Sequence, residues 1–89
     1  MILELGQVVF SKMGRDSGRY YAVVEIVDNE FVKIADGDIR KLKNAKLKRN
    51  KHLKSYGDFL ERIGEKLKAG GQIFDAELRS ALRPYNEKQ

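Results

Sequence analysis

Residues 6–37 read GQVVFSKMGRDSGRYYAVVEIVDNEFVKIADG. The parsing of that stretch decides the fold. In GQVVFSK, Val8 and Phe10 share one face, and Gln7, Val9 and Ser11 share the other. In RYYAVVEIVD, Ala22, Val24 and Ile26 lie opposite Tyr21, Val23, Glu25 and Val27. A period of two in β-branched and aromatic residues predicts strands. Asp28-Asn29-Glu30 supplies a turn, FVKIA a third strand with Val32 and Ile34 inward, and Asp36-Gly37-Asp38 a second turn. Closely spaced strands joined by short turns predict an antiparallel meander that curls into a small barrel.

Between the first two strands lies the elbow MGRDSGR. Glycine serves where the backbone takes a positive φ or is closely approached, so Gly14 and Gly18 are the expected pivots. Asp16 and Ser17 favour side-chain-stabilised turns. The elbow is not a nucleotide cradle. A P-loop needs four residues between its glycines, then Lys and Ser or Thr opening a helix. Here three residues intervene, and Arg19-Tyr20 open a strand.

Charge is unevenly placed. The chain of 89 residues carries 18 Lys and Arg against 13 Asp and Glu, a net charge of +5. Eight of the basic residues fall in the 15 positions from Arg40 to Lys54: Arg40, Lys41, Lys43, Lys46, Lys48, Arg49, Lys51 and Lys54. That segment holds no acid, and the rest of the chain has 10 basic and 13 acidic residues. A single-sign block on an otherwise slightly acidic body points to a polyanionic partner. Lys12, Arg15 and Arg19 bracket the elbow, and arginine's planar fork suits bidentate phosphate contact. Inside the block, a short strand is expected near Ile39–Leu42, then an extended loop, then a closing strand near His52–Tyr56.

The last third changes character. In DFLERIGEKLKAGG, Phe59, Leu60, Ile63 and Leu67 recur at helical spacing, with Asp58 as the expected N-cap and Gly70-Gly71 as the stop. Gly64 lies mid-helix, at a cost of about 1 kcal/mol against Ala. Asp75 is the expected cap of a second helix that turns Leu78, Ala81 and Leu82 inward and stops at Pro84. The helices are expected to cover the Tyr21, Val23 and Val27 face, with Phe59, Ile63 and Leu67 against it.

Nothing in the sequence predicts catalysis. There is no cysteine, hence no thiolate nucleophile or cysteine-held metal. His52 is the only histidine and sits among lysines; it is read as a hydrogen-bonding or stacking residue. Ser11, Ser17, Ser55 and Ser80 lack a nucleophile context. Asp36 and Asp38 resemble a fragment of a calcium loop, but the required Glu is absent and Arg40-Lys41 follow. No cofactor, metal or small-molecule substrate is expected. MILELGQVVF lacks a basic leader segment and carries Glu4, so it is read as part of the fold. No apolar run reaches the roughly 18 residues of a membrane span, and a cytoplasmic location is expected.

The same residues carry a resemblance. Val8-Val9, Gly14-Arg15, Gly18-Arg19, Val23-Val24-Glu25-Ile26-Val27-Asp28 and a strand ending in Asp36-Gly37 resemble a KOW motif, the strand–loop–strand unit of ribosomal proteins and transcription elongation factors. Residues 5–56, with the basic KNAKLKRNKHL closing on Lys51-His52-Leu53, are most similar to archaeal and eukaryotic large-subunit ribosomal proteins of the fourteen-e type and their shorter bacterial relatives. The tail from Asp58 to Arg83 looks like that of the bacterial relatives. The resemblance implies an SH3-like (KOW) barrel of about five strands over residues 1–56, extended by two short α-helices over 57–89 within one domain. It also implies a non-enzymatic RNA-binding protein of translation, a ribonucleoprotein component that meets large-subunit ribosomal RNA and ribosomal proteins. Gly14 would be the pivot of its loop. Lys12, Arg15, Arg19 and the basic block, His52 included, would face RNA. Tyr20 or Tyr21 could stack on an unpaired base, but a packing role is the favoured reading for both. From the residues alone two other readings stay open: an SH3-like protein-interaction module, and duplex DNA binding, which lacks an evident recognition helix.

Overall fold

In the computed structural model, which describes residues 2–87, the alternating segments form five strands. They are β1 (Gln7–Ser11), β2 (Tyr20–Ile26), β3 (Phe31–Ala35), β4 (Lys46–Arg49) and β5 (Leu53–Phe59). Two helices follow, α1 (Glu61–Lys68) and α2 (Asp75–Asn86). Met1, Lys88 and Gln89 lie outside the described residues, so the ends of the expected 1–56 and 57–89 segments do too. All pairings are antiparallel in one sheet of order β4-β3-β2-β1-β5. The protein is thus mainly β, with two C-terminal helices.

The register of the sheet shifts at two places. One is in β2, between Val23 and Glu25; the other is in β5, where Ser55 pairs with Val9 but Phe59 with Gln7. Bulges add local twist. Val9, Tyr21, Val23, Val32, Ile34 and Leu53 therefore converge with Leu3 in one buried cluster. Each large side chain in it contributes about 1.5–3 kcal/mol of apolar burial. The curl stops short of a closed barrel, because β4 and β5 do not pair. The elbow stands in the gap instead. The Lys12 N–H donates to the His52 carbonyl (3.0 Å), and Lys48 Nζ donates to the Met13 carbonyl (2.6 Å).

The opposite face of the sheet carries smaller residues. Val8, Ala22 and Ala35 form a second buried cluster with Ile63, Ile73, Leu78 and Leu82. The helices therefore cover the Ala22 face and not the Tyr21 face expected from the sequence. Both faces of β2 are apolar, and size separates them. Tyr21 and Val23 fill the inside of the curl, while alanines let a helix approach closely. Ile63 is buried there and Leu67 partly so, but Phe59 and Val27 stay exposed.

Several boundaries also move. No strand forms at Ile39–Leu42; a 3-10 turn occupies Leu42–Asn44, and the added strand is β4, inside the basic block. A second 3-10 turn, Asn50–His52, leads into β5. Asp58 ends up in β5, where its carboxylate accepts from the Tyr85 hydroxyl (3.0 Å) and caps no helix. Asp75 is the first residue of α2, and its carboxylate accepts from the Leu42 N–H (2.8 Å). Pro84 does not end α2, which runs on to Asn86. Tertiary bonds hold that last turn. The Asn86 side-chain amide accepts from the Tyr20 N–H (2.9 Å) and donates to the Tyr20 carbonyl (3.0 Å), as a neighbouring strand would.

Gly64 has a reason to be mid-helix. A Cβ there would lie 2.9 Å from the Leu5 carbonyl oxygen, and a Cβ on Gly6 would lie 2.6 Å from the Gly64 Cα. Helix α1 crosses the Leu5–Gly6 segment backbone to backbone, and the Leu60 N–H donates to the Gly6 carbonyl (2.8 Å). Gly64→Ala is therefore expected to lower stability despite Ala's better helix propensity. Gly6→Ala adds strain at a φ of +84° and is expected to cost more, roughly 1–3 kcal/mol. Urea unfolding of both variants tests this; a Gly64→Ala protein as stable as the wild type would remove the contact as the cause.

Candidate nucleic-acid interface

The elbow is built as a rigid ledge. Gly14 and Gly18 adopt φ of +87° and +85°, as expected of the pivots. The Ser17 N–H closes a turn on the Gly14 carbonyl (3.2 Å), and the Gly18 N–H returns to the Ser11 carbonyl (3.0 Å). Beneath the loop, the Tyr21 hydroxyl donates to the Asp16 carbonyl (3.1 Å). Lys48 is buried under Gly14, and a Cβ at that glycine would lie 3.1 Å from Nζ.

Two buried carboxylates tie the elbow to the turn after β3. Asp36 is 1% exposed and accepts from Arg19 Nε at 2.9 Å. Its other oxygen accepts from the Asp38 and Arg40 N–H groups (2.9 and 2.8 Å). Arg19 also reaches Asp38 (3.4 Å). Asp16, buried as well, receives Arg40 at 3.4 Å. Sequence reasoning marks Asp16 only as a turn residue, and Asp36 only as a turn residue that resembles part of a calcium loop. The available signal is the pairing of types: two Asp-bearing turns, each next to an Arg. Tyr21 lies between these carboxylates, and burial, reinforced by Asp16 and Asp36, pushes its phenol up to about 12.

The expected RNA-facing set therefore divides in two. Arg19, Arg40 and Lys48 are part of the scaffold, and Arg49 pairs with Glu30 (3.5 Å) while lying over the Phe31 ring (4.8 Å). Lys12, Arg15, Lys41, Lys43, Lys46, Lys51 and Lys54 are exposed, and none makes an ion pair among the described residues. His52 is half-buried and contributes its carbonyl to Lys12.

Each piece of the basic block touches the elbow. The turn after β3 does so through Arg40 and Asp16, β4 through Lys48 and Met13, and the 3-10 turn before β5 through His52 and Lys12. The loop that carries Lys12 and Arg15 is thus in contact with each part of the 15-residue segment that bears the other exposed cations. Beside them, a cleft of about 310 Å³ is lined by Asn29, Glu30, Arg49, Asn50 and Lys51. Tyr20 packs between Phe10 and Tyr85 (ring centroids 5.0 and 5.6 Å apart) and Tyr21 is in the core, so both serve packing. No group of three or more His, Cys, Asp or Glu able to hold a metal occurs among the described residues. Nor is any described helix long and apolar enough to cross a membrane. No protein-family model matches the chain, and no curated protein matches it.

Tyr21 sets a pH signature. Its phenol holds its proton up to about 12 in the fold against 10.0 ordinarily. The folded chain then binds a proton that the unfolded chain releases. The stability tied to this group is complete below pH 10 and is lost as pH rises through about 12. Tyr21→Phe is expected to be less stable at neutral pH but to lose less between those limits, as read by urea unfolding across pH. Parallel decline of the two proteins would remove Tyr21 as the source.

Proposed function

We propose that this chain is a non-enzymatic RNA-binding protein. It would neutralise RNA phosphates with Lys12, Arg15, Lys41, Lys43, Lys46, Lys51 and Lys54, oriented by the rigid elbow. The observation that carries the reading is that seven exposed cations without an ion pair among the described residues lie on the elbow and on the segment in contact with it. Among the described residues, the other Lys or Arg side chains without an ion pair or buried anchor are Arg62 and Arg79, on the helices. Unrelieved like charge costs stability through self-repulsion and is relieved by a polyanion. Helical RNA is bound largely by shape, phosphates and 2′-hydroxyls, which a surface rich in Lys suits.

The resemblance to KOW proteins narrows the proposal to ribosomal RNA, on or near the large subunit, in the cytoplasm and in the company of ribosomal proteins. Crosslinking in cells followed by sequencing of the bound RNA tests that part. Enrichment of large-subunit ribosomal RNA is expected, and no RNA enrichment would end it.

Phosphate neutralisation has its own measurement. Log affinity for RNA is expected to fall linearly with log salt, by about 0.7 to 0.9 per phosphate contacted. Replacing Lys12, Arg15, Lys46 and Lys51 by Gln is expected to reduce that slope by about 3. The same charge change on the helices, at Arg62, Lys66, Lys68 and Arg83, is expected to leave it nearly unchanged. Equal slopes in the two quadruple variants would overturn the mechanism and favour a protein-interaction module.

A further inference from the structure

Strand β5 carries an aromatic that the fold does not use. Tyr56 is 62% exposed, in the part of β5 between Ser55 and Phe59 where the register with β1 shifts. No ring contact or hydrogen bond of its hydroxyl occurs among the described residues; its one partner is Lys54 Nζ, 5.6 Å from the ring centroid. The other three tyrosines are employed. Tyr20 packs between two rings, Tyr21 is buried, and Tyr85 donates to Asp58.

Its position relates it to the cations. Lys54 and Tyr56 lie two residues apart, on one face of an edge strand whose outer side has no partner strand. Strand geometry separates such residues by about 6.6–6.8 Å. Lys54 pairs with Phe10 across the β1–β5 ladder, and the residue before that ladder's end, His52, is bonded to Lys12. The exposed series along this edge is therefore Lys12 at the elbow, then Lys54, then Tyr56. Such a series matches a nucleic-acid strand whose phosphates meet the lysines and whose base lies on the ring. Base–aromatic stacking tolerates any sequence, because every base has a π-face. A duplex buries its base faces and cannot use the ring.

We infer that Tyr56 is a stacking platform for an unpaired base, so that the RNA bound at this surface is single-stranded where it crosses β5. The inference rests on the RNA-binding reading and deepens it. It selects loops, bulges or strand ends over continuous helix as the target.

Labelled RNA oligonucleotides and the full chain test it. The probes are a 12-nucleotide strand of mixed sequence, the same strand with abasic sites throughout, and a duplex of that sequence. Tyr56→Ala is expected to weaken binding of the intact strand by about 5- to 100-fold, the range of one stacked base. It is expected to leave the abasic strand, the duplex and the salt slope within twofold. Tyr56→Phe retains binding of the intact strand. A Tyr56→Ala protein that binds the intact strand like the wild type, or loses all three probes equally, overturns the inference. Circular dichroism and thermal melting establish that the variant is folded; a variant that fails to fold also overturns it, because it makes Tyr56 a structural residue. Wild-type protein that binds none of the probes sinks the RNA-binding reading itself. Wild type that binds the duplex and the abasic strand as well as the intact strand sinks the stacking platform alone.

Discussion

The carboxylate of Asp36 joins two loops that are far apart in the sequence. It is withdrawn from water at the end of β3 and satisfied by three donors: the Arg19 side chain and the N–H groups of Asp38 and Arg40. Removing a carboxylate from water costs several kcal/mol, and the charge is tolerated only where close partners replace its hydration. Asp36 meets that condition. Two loops that are distant in sequence then have to meet in one arrangement. Once Arg19 is fixed, β2 starts in register, and once Arg40 is turned by the same carboxylate, its side chain reaches Asp16 in the elbow. The two Arg–Asp pairs and the Tyr21 hydroxyl make the elbow a feature of the sheet rather than a flexible hairpin tip.

That arrangement explains how a positively charged surface is held on so small a body. The scaffold cations are used with their counter-charges, and the exposed ones are set outside them without any. A ledge stiffened from below presents Lys12 and Arg15 with little conformational entropy left to lose in the backbone. Lys48 shows how the two roles divide. It belongs to the same run of charge as its neighbours, yet it points under Gly14 and spends its ammonium on the Met13 carbonyl. Pairing of Val32 with Lys48 and of Ile34 with Lys46 puts both lysines on the face that turns into the curl. Only Lys46, nearer the rim, remains exposed.

The strands β1, β2 and β3 were legible because their alternation is uninterrupted and their turns carry Asp, Asn and Gly. The two helices were legible from Ile63, Leu67, Leu78 and Leu82. What sequence reasoning missed has a common origin. β2 is apolar on both sides, so periodicity finds the strand but cannot tell the inside of the curl from the face that helices cover. Only the size contrast between Tyr21 and Ala22 holds that information. β4 was hidden because Lys46-Leu47-Lys48-Arg49 has one apolar residue in four, and that residue, Leu47, faces outward and is half-exposed. The helix limits at Asp58, Asp75 and Pro84 were misplaced because those side chains answer to distant partners, Tyr85 and Leu42 for the two aspartates, and β2 for the turn beyond the proline. In the candidate interface, the elbow and the basic block were visible as separate signals. Their meeting, and the diversion of Arg19, Arg40 and Lys48 into the scaffold, depend on two aspartates whose burial no local pattern reports.

The unpaired margins of the curled sheet have a consequence for solubility. A strand with one bare side offers its N–H and C=O groups to any other extended chain, including another copy of the same protein. On β4 that margin consists of Lys46-Leu47-Lys48-Arg49. Two copies aligned edge to edge would bring the exposed Lys46 and Arg49 of each together, and their repulsion would oppose the pairing. The charge that would draw a polyanion under the proposed function would therefore also oppose self-pairing at this edge. Conditions that cancel it, such as lysine acetylation or concentrated salt, would remove that opposition together with the attraction.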